Sequence, residues 1–354
     1  MEDALSWSAI FGQLIVQFTP TLLALIVTFA ISIRFKSKLS LYGKLFDSRI
    51  GMIGLGLVLF WVFTAFFAGA FDLIATHDPL EQSAAMKRTP PGTPYMNLLA
   101  LPGSEAGPHY LLGGDNLGRD VFSRMIEGSI KVILIAPFAT VFAFMAGITL
   151  GLPAGYYGGK LDTLLSFLSN LVIAFPVILL FYLLVTPEVV QSGLSLYLAA
   201  VLFLFPIIFV VVLLNSRFYT QPKKRNLYVA IALLVGLWLY AGIAWDADPL
   251  GLIAFPPNLL IVFVSVVLVN TPTVFRIVRG LTFDIKTRDY VAAAQTRGEG
   301  PWYIMLWEIL PNARGPLLVD FCLRVGYTTI LLGTLGFFGL GLESESADWG
   351  KMII

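Results

Sequence analysis

Residues 51–75 read GMIGLGLVLFWVFTAFFAGAFDLIA, a stretch in which Asp72 is the only charged side chain. An α-helix rises about 1.5 Å per residue, so these residues are enough to cross the roughly 30 Å of hydrocarbon in a bilayer. Because a backbone in lipid must satisfy its own hydrogen bonds, the stretch is expected to be helical. It therefore indicates a membrane-spanning helix.

The composition of the whole chain extends this conclusion. Of its 354 residues, 57% are hydrophobic and 13% are charged, and the mean hydropathy is +0.83. Soluble domains carry about 25% charged residues. With a net charge of only +1, this composition excludes a soluble enzyme, a disordered protein and a nucleic-acid-binding protein.

Other stretches of the chain have the same character as 51–75. The eight predicted spans are residues 11–33, 51–75, 131–153, 162–185, 196–214, 227–245, 258–275 and 316–342. The alternating ten-residue segments of a transmembrane β-barrel are absent. The predicted fold class is therefore all-α, a polytopic transmembrane helical bundle.

The distribution of Lys and Arg predicts the orientation, because cytoplasmic loops carry an excess of both. Most of the 23 basic residues fall in the loops that begin near residues 34, 154, 215 and 276, whereas acidic residues favour the opposite side. We therefore expect those loops in the cytoplasm and the N-terminus outside.

Residues 76–130 form a proline-rich segment on the outer side, and its end is expected to become helical. Residues 113–124 read GGDNLGRDVFSR, in which Asp120 suits the N-cap position. The apolar side chains that follow are expected to lie along the membrane surface: Val121, Phe122, Met125 and Ile126. The segment is either an ordered connector or a contact site for an external partner.

The cytoplasmic stretch 276–314 predicts two short helices. Asp289 suits an N-cap, the alanines that follow favour helix, and Gly298 suits the left-handed C′ position. Pro301 can open a second short helix that ends at Pro311. The small alanine side chains would let a partner approach closely. This helix–turn–helix is a docking element or an ordinary connector between spans.

Groups suited to catalysis or metal binding are sparse in the sequence. Cys322 is the single cysteine, and His77 and His109 are far apart along the chain. A cysteine metal site is excluded, and metal-dependent chemistry is not expected. We predict no catalytic residues and no metal site.

The cytoplasmic helix–turn–helix resembles the signature of the inner-membrane permease subunits of ABC-type importers, which runs roughly E-A-A-x-x-x-G and continues to I-L-P. The similar residues here are Ala293, Ala294, Gly298, Ile309, Leu310, Pro311 and Asn312. Further similar motifs follow the family's order: 114–124, 154–162 with 174–176, and 337–341. The chain most resembles the second permease of the oligopeptide, dipeptide and nickel group.

The resemblance implies a half-pore in the bacterial inner membrane that pairs with a homologous second permease. Two cytoplasmic ATPases would bind the coupling helices at 288–310, and an external binding protein would deliver the cargo. ATP and Mg²⁺ would be bound by the ATPases, with no cofactor in this chain. Consistent with that, residues 154–161 lack the first glycine and the Ser/Thr of a phosphate-binding loop. The partners would include the lipid bilayer but no nucleic acid.

The resemblance also implies two groups of site residues. The ATPase-coupling residues would be Asp289, Tyr290, Ala293, Ala294, Gly298, Pro301, Trp302, Leu310 and Pro311. The periplasmic motif would comprise Gly114, Asp115, Gly118, Arg119, Asp120 and Arg124. Three positions depart from the pattern: Ala292 replaces the signature glutamate, while Trp307 and Glu308 stand where an arginine and a histidine are frequent. Contact with the ATPase should therefore be less ionic and more apolar than usual.

The resemblance divides the chain into four parts. Residues 1–50 would add an N-terminal span and a basic cytoplasmic loop, and 51–185 would form the first part of the permease core with the periplasmic loop 76–130. Residues 186–257 would insert two spans joined by a basic cytoplasmic loop. Residues 258–354 would complete the core with the coupling helices, and the family's last span would be missing after Ile354.

One pair of opposite charges is predicted inside the membrane. Asp320 and Arg324 are separated by four residues within the span 316–342, so they share a helix face and can neutralise each other. Intramembrane ionisable residues usually face the bundle interior or water. The pair is either part of the pore or partner contact, or a self-satisfied structural pair.

Two other function classes compete with the ATP-driven permease. A self-contained secondary transporter or channel would need inverted repeats or a chain of membrane carboxylates, whereas only Asp320 lies clearly inside a span. An intramembrane enzyme would need nucleophile or metal pairs at helical spacing, which the sequence lacks. The cargo stays open among dipeptides, oligopeptides, peptide antibiotics and nickel chelates.

Overall fold

The computed structural model describes residues 4–95, 107–245, 247–248, 250–251, 257–339 and 347–353. Its α-helices are α1 (Trp7–Gln17), α2 (Thr19–Arg34), α3 (Ser40–Gly43), α4 (Arg49–Phe71), α5 (Val121–Tyr157), α6 (Gly159–Ile173), α7 (Val177–Val185), α8 (Pro187–Gln191), α9 (Leu194–Leu202), α10 (Leu204–Arg217), α11 (Pro222–Trp245), α12 (Pro257–Ile285), α13 (Asp289–Thr296), α14 (Pro301–Tyr303) and α15 (Leu310–Phe337). The remaining elements are the π-helical segment Ile304–Ile309, the 3₁₀ turns Lys36–Lys38, Lys44–Asp47, Ala84–Met86 and Lys351–Ile353, and the antiparallel strands β1 (Thr93–Tyr95) and β2 (Gly107–Tyr110).

The predicted helical membrane spans are confirmed. Within the described residues, the helices long and apolar enough to cross a bilayer are Arg49–Phe71, Val121–Tyr157, Leu196–Arg217, Pro222–Trp245, Leu259–Ile285 and Pro301–Phe337. Two further pairs qualify only together, α1 with α2 and α6 with α7, and they are bent by 59° and 82°. If each bent pair is one span, the total is 8, as the sequence predicts.

Proline accounts for the sharper of the two bends. The N-cap of α7 is Pro176, whose backbone angles of φ −57° and ψ 127° are not helical. Proline has no N–H to donate and disfavours helix in the residue before it, so α6 cannot run on into α7. By contrast, Pro153 and Pro272 lie inside α5 and α12 without ending either helix.

Helix α5 departs from its predicted boundaries. It begins at Val121 and runs for 37 residues, so the expected short outer helix and the span 131–153 are one element. The prediction that its first apolar residues line the membrane surface is wrong, because Phe122 and Ile126 are fully buried. They pack in one cluster with Ile74 and Leu111, which the outer loop supplies.

The described residues fall into two compact units. The first contains those within Met1–Leu134 and Leu332–Gly339 together with the segment 347–353, and the second contains those within Ile135–Leu331. In the second unit α12 is the most deeply buried span, and it contacts α6, α7 and α9. It therefore forms the centre of that unit.

Three glycines on α5 allow α12 to pack unusually close. The facing pairs are Gly147 with Val274, Gly151 with Val278, and Gly155 with Thr282. A Cβ atom added to any of these glycines would lie 2.6–2.9 Å from a side-chain carbon of α12, which is closer than such atoms can pack. Small residues at four-residue spacing are a common way for membrane helices to pack backbone against backbone.

Candidate functional site

The predicted cytoplasmic helix exists as α13, but its first turn differs from the prediction. The N-cap residue is Arg288, with φ −77° and ψ 147°, and no side chain caps the helix. Asp289 is therefore the first helical residue rather than the N-cap, which corrects the prediction. Its carboxylate still lies in the first turn, where the helix dipole favours a negative charge.

The end of α13 follows the prediction. Gly298 has φ +77°, the left-handed conformation that a residue with a side chain rarely adopts. Its N–H donates to the carbonyl of Gln295 at 2.9 Å, and the N–H of Glu299 donates to the carbonyl of Ala294 at 3.2 Å. These two bonds form a Schellman motif, which confirms Gly298 at the C′ position.

The second short helix does not end where the sequence predicts. Pro301 opens it after the N-cap Gly300, but the chain passes through the π-helical segment Ile304–Ile309 directly into α15. Pro311 therefore lies inside the continuous helix Pro301–Phe337, where a proline removes one backbone donor. The π-helical turns shift the hydrogen-bond register just before this proline, so the helix continues through it.

The predicted coupling residues divide by exposure. Asp289, Tyr290, Ala293, Gly298, Pro301 and Pro311 are exposed, Trp302 and Leu310 are half-buried, and Ala294 is buried. Ala294 packs with Val291 in the same hydrophobic cluster as Ile304, Met305 and Leu306. The segment therefore has one solvent-exposed face with small side chains and an opposite face that packs into the hydrophobic core.

Two side chains fasten this segment to the end of α5. Lys286 donates from Nζ to the carbonyls of Gly155 at 2.7 Å and Tyr156 at 3.2 Å. Carbonyls in the last turn of a helix lack partners within the helix, so a lysine there is favourable. Gln295 of α13 donates to the hydroxyl of Tyr156 at 3.2 Å.

The hairpin formed by α10 and α11 also contacts this segment, which the sequence did not predict. Trp307 donates from Nε1 to Oγ of Ser216 at 2.8 Å, and the Arg217 guanidinium lies 4.8 Å from the centroid of the Trp307 ring. The Tyr219 hydroxyl donates to Glu299 at 3.3 Å. The unusual Trp307 was the one sequence signal of this contact.

In the loop that precedes α5, Asp115 and the residues after it form a tight turn. Its Oδ1 accepts hydrogen bonds from the N–H groups of Leu117 at 2.8 Å and Arg119 at 2.9 Å, and its Oδ2 accepts from Arg119 Nε at 2.7 Å. Burial alone would raise the pKa of Asp115, but the bonds from Arg119 and Leu117 outweigh it and hold the pKa below its usual value.

Asp120 caps α5 as the sequence predicts. Its carboxylate accepts from the N–H groups of Phe122 at 3.3 Å and Ser123 at 3.0 Å, and from the hydroxyls of Ser123 at 2.6 Å and Thr76 at 3.1 Å. Burial opposes its ionisation, but His77 and Ser123 outweigh that effect and lower the pKa of Asp120. The cap therefore also holds residues 76–77 of the outer loop.

Other residues of the predicted periplasmic motif are also enclosed, Gly118 and Arg124 fully and Gly114 partly. Arg124 is 1% exposed, donates to the carbonyl of Pro79 at 3.2 Å and lies 3.6 Å from Asp115. Gly118 has φ +78°, and a Cβ atom at Gly118 or Gly114 would strike the backbone of the preceding loop. The motif is thus the internal framework of the outer loop.

The predicted intramembrane pair forms and has further partners. Arg324 Nε donates to Asp320 at 2.6 Å. Arg324 Nη1 also donates to Thr273 at 2.6 Å and to Asn270 at 3.3 Å, both on α12. The ion pair lies within α15, and Arg324 also ties it to α12.

Comparison with known proteins places these features in a family. The sequence profile for the binding-protein-dependent transport system inner membrane component matches residues 147–354. The chain is 28% identical to a dipeptide transport system permease protein from Haemophilus influenzae over 309 residues, which are 87% of this chain and 77% of that protein. It is 27% identical to a di/tripeptide transport system permease protein from Pseudomonas aeruginosa over 323 residues, 91% of this chain and 80% of that protein.

A third relative is named for a different cargo. The chain is 27% identical to a glutathione transport system permease protein from Pectobacterium atrosepticum over 242 residues, 68% of this chain and 58% of that protein. The family profile covers more than half of the chain, including α12, α13 and α15. The chain thus belongs to the family of inner-membrane components of binding-protein-dependent transport systems and is a multi-pass permease subunit.

Proposed function

We propose that this permease subunit forms half of a translocation pathway for peptides or peptide-like compounds. It pairs with a homologous second permease, receives its cargo from an external binding protein and is driven by two cytoplasmic ATPases. The names of the relatives support the cargo class, because they specify dipeptides, di/tripeptides and glutathione. ATP and Mg²⁺ are assigned to the ATPases, and this chain contributes no catalytic residue.

The exposed surface on and after α13 is the observation that carries the proposal, and we assign it as the docking surface for an ATPase. It consists of exposed residues on and after α13: Asp289, Tyr290, Ala293, Gly298 and Pro301. With small side chains at its centre, the surface lets another protein approach the backbone closely. The position of this surface is fixed by packing, because Val291 and Ala294 on the other face of α13 are buried in the core.

The remaining coupling residues would position this docking surface. Trp302 and Leu310 pack partly into the core, Ala294 packs fully into it, and Pro311 marks the entry to α15. Movement of the docking surface would reach the membrane through the continuous helix Pro301–Phe337, which begins at the last residue of that surface. Rigid coupling of this kind is how binding at one site biases the conformation of another.

The outer motif and the intramembrane pair would have supporting roles. The bonds of Asp115, Asp120 and Arg124 would hold the periplasmic loop in the shape that meets the binding protein. Asp320 and Arg324 would keep α15 and α12 together during transport. The N-terminus would lie in the periplasm, and a reporter fused there that is active only outside the cytoplasm tests this orientation.

Co-purification with the ATPases tests the docking surface. At Gly298, φ is +77° and no atom lies within 4 Å of an added Cβ, so Gly298→Val strains the backbone without a clash. Strain of about 1–3 kcal/mol corresponds to about 5- to 150-fold in affinity, and we expect ATPase association and transport to fall within that range.

Gly300→Val is the matched control. Gly300 has φ −69° and ψ 153°, which any residue adopts, and it also has open space around it. We expect association within about twofold of wild type, because no strain arises. If Gly298→Val keeps full association and transport, the docking assignment is wrong. Uptake by this chain alone in liposomes under an ion gradient would favour the secondary-transporter alternative instead.

A further inference from the structure

The loop between α10 and α11 carries a strong local charge. Residues 215–226 read NSRFYTQPKKRN, with four basic residues and no acidic one. Arg217, Lys223 and Lys224 are exposed, and Arg225 is half-buried. Among the described residues, the ion pairs leave these four cations without an acidic partner. We call residues 216–225 the hairpin end.

The hairpin end is placed where it can meet a membrane surface. It joins two helices that are each long and apolar enough to span the bilayer, Leu196–Arg217 and Pro222–Trp245. Tyr219 and Tyr228 beside the cations are 50% and 42% exposed. Tyrosine and basic residues together at the end of a span are typical of the headgroup region.

The same loop contacts the segment that carries the docking surface. Ser216 accepts the hydrogen bond from Trp307, and Arg217 lies over the Trp307 ring. Tyr219 donates to Glu299, and the nearby Glu299 carboxylate raises the pKa of Tyr219, which keeps its hydroxyl protonated as a donor. Glu299 follows Gly298 directly and helps to close α13. A displacement of the hairpin end must therefore move or strain this segment.

We propose that the hairpin end binds the headgroups of anionic phospholipids in the cytoplasmic leaflet and that this binding stabilises the ATPase docking surface through Trp307 and Glu299. The inference rests on the proposed function, which supplies the orientation and the docking partner. Anionic lipids attract clusters of four or more Lys/Arg at the cytoplasmic end of a span. The inserted spans would thereby make transport sensitive to lipid composition.

Charge-removal variants in the assembled transporter test lipid binding. The complete complex is reconstituted in vesicles of phosphatidylcholine with increasing phosphatidylglycerol, and ATPase activity is measured at each composition. Each cation near an anionic surface strengthens binding about fivefold. For K223Q/K224Q we therefore expect a much weaker response to phosphatidylglycerol, with the half-maximal fraction shifted upward by about an order of magnitude.

The control removes the same charge from the other basic cytoplasmic loop. Lys38 and Lys44 are exposed as well, and they belong to the other compact unit from the one that contains α13 and the π-helical segment. K38Q/K44Q should respond to phosphatidylglycerol as the wild type does. If K223Q/K224Q also responds like the wild type, the proposal is overturned.

Two further measurements separate lipid binding from its transmission to the ATPases. Trp307→Phe combined with Tyr219→Phe keeps both aromatic rings but removes the hydrogen bonds to Ser216 and Glu299, so phosphatidylglycerol should still co-purify with the complex while ATPase activity loses its lipid dependence. If activity keeps that dependence, the hairpin does not transmit lipid binding. If K223Q/K224Q instead loses the ATPases equally at every lipid composition, the cations bind an acidic protein surface and the lipid assignment is wrong.

Failure of the proposed function would give a different pattern. In that case Gly298→Val would keep its ATPases, while phosphatidylglycerol enrichment on the purified complex would still depend on Lys223 and Lys224.

Discussion

The motif of residues 114–124 and the proposed docking surface on and after α13 use similar residue types in opposite ways. Asp120 is fully buried and accepts four hydrogen bonds, whereas Asp289 is exposed and caps nothing. A Cβ atom added to Gly118 would clash with backbone atoms, whereas no atom lies within 4 Å of a Cβ added to Gly298. A motif can therefore mark internal architecture in one region of a protein and an exposed surface in another.

The largest difference should appear between two aspartate substitutions. Asp120→Ala removes an N-cap worth about 1 kcal/mol and buried bonds to a charged acceptor worth about 1.5–3 kcal/mol. We expect it to lower the free energy of unfolding by about 3 kcal/mol, measured by thermal unfolding of the purified protein in detergent. Asp289→Ala should change it by less than about 0.5 kcal/mol. Equal effects would erase the contrast between the two regions.

The next effect compares adjacent alanines on α13. Ala294 is buried and Ala293 is exposed. Ala294→Leu should overpack the core and destabilise the protein by about 1–3 kcal/mol. Ala293→Leu should leave stability unchanged but reduce ATPase co-purification, because it fills the surface that a partner must approach. A stability loss at Ala293, or normal docking with a bulky side chain there, would contradict the assignment of the surface.

The outer loop should also respond to acid. The pKa values of Asp115 and Asp120 are lower in the folded protein than the usual value near 3.9. Their contribution to stability is therefore present above about pH 4 and is lost as the pH falls through the folded pKa values. Melting temperatures measured from pH 7 down to about pH 3 should fall steeply for the wild type and less steeply for Asp120→Asn.

Asp348 provides the control of opposite sign for that titration. Burial raises the pKa of Asp348, so its ionisation weakens the fold as the pH rises through the folded pKa. Asp348→Asn should therefore steepen the net loss of stability toward acid, because the opposing gain is removed. A shallower acid profile in Asp348→Asn would contradict this assignment.

The smallest effect compares two tryptophans. Trp349 donates from Nε1 to the carbonyl of Met125 at 2.9 Å, and Trp307 donates to Ser216 at 2.8 Å. Replacing either by Phe should cost about 0.5–1.5 kcal/mol of stability. Only Trp307→Phe should also alter the lipid response of ATPase activity, and a matching change in Trp349→Phe would indicate a general loss of stability instead.

The sequence predicted features that depend on local chemistry. Hydropathy was sufficient for the spans, since lipid leaves a backbone little choice but helix. Asp120 at the N-cap and Gly298 at C′ were predictable because each depends on only a few neighbouring residues. The misplacement of Asp289 by one position is typical of helix ends, where capping residues of similar propensity compete.

Features that depend on distant contacts were not predictable. Pro311 indicated a helix end, but the π-helical turns before it allow the helix to continue. The sequence that contains Phe122 has the pattern of an amphipathic surface helix, yet the preceding loop covers Phe122. The contact of Ser216 with Trp307 joins residues 91 positions apart, and no periodicity in either segment reports on such a pairing.

The three glycines of α5 restrict how the second unit can move. Each faces a side chain of α12, and the pairs repeat every four residues. The side chains of α12 therefore occupy the spaces that the glycines of α5 leave open. If α12 slid slightly along α5, one of these side chains would clash with the α5 backbone. The next register that avoids a clash lies one helical turn away, about 5.4 Å. Gradual shear between these helices is therefore forbidden. The two helices must move together as a rigid body or shift by a full helical turn.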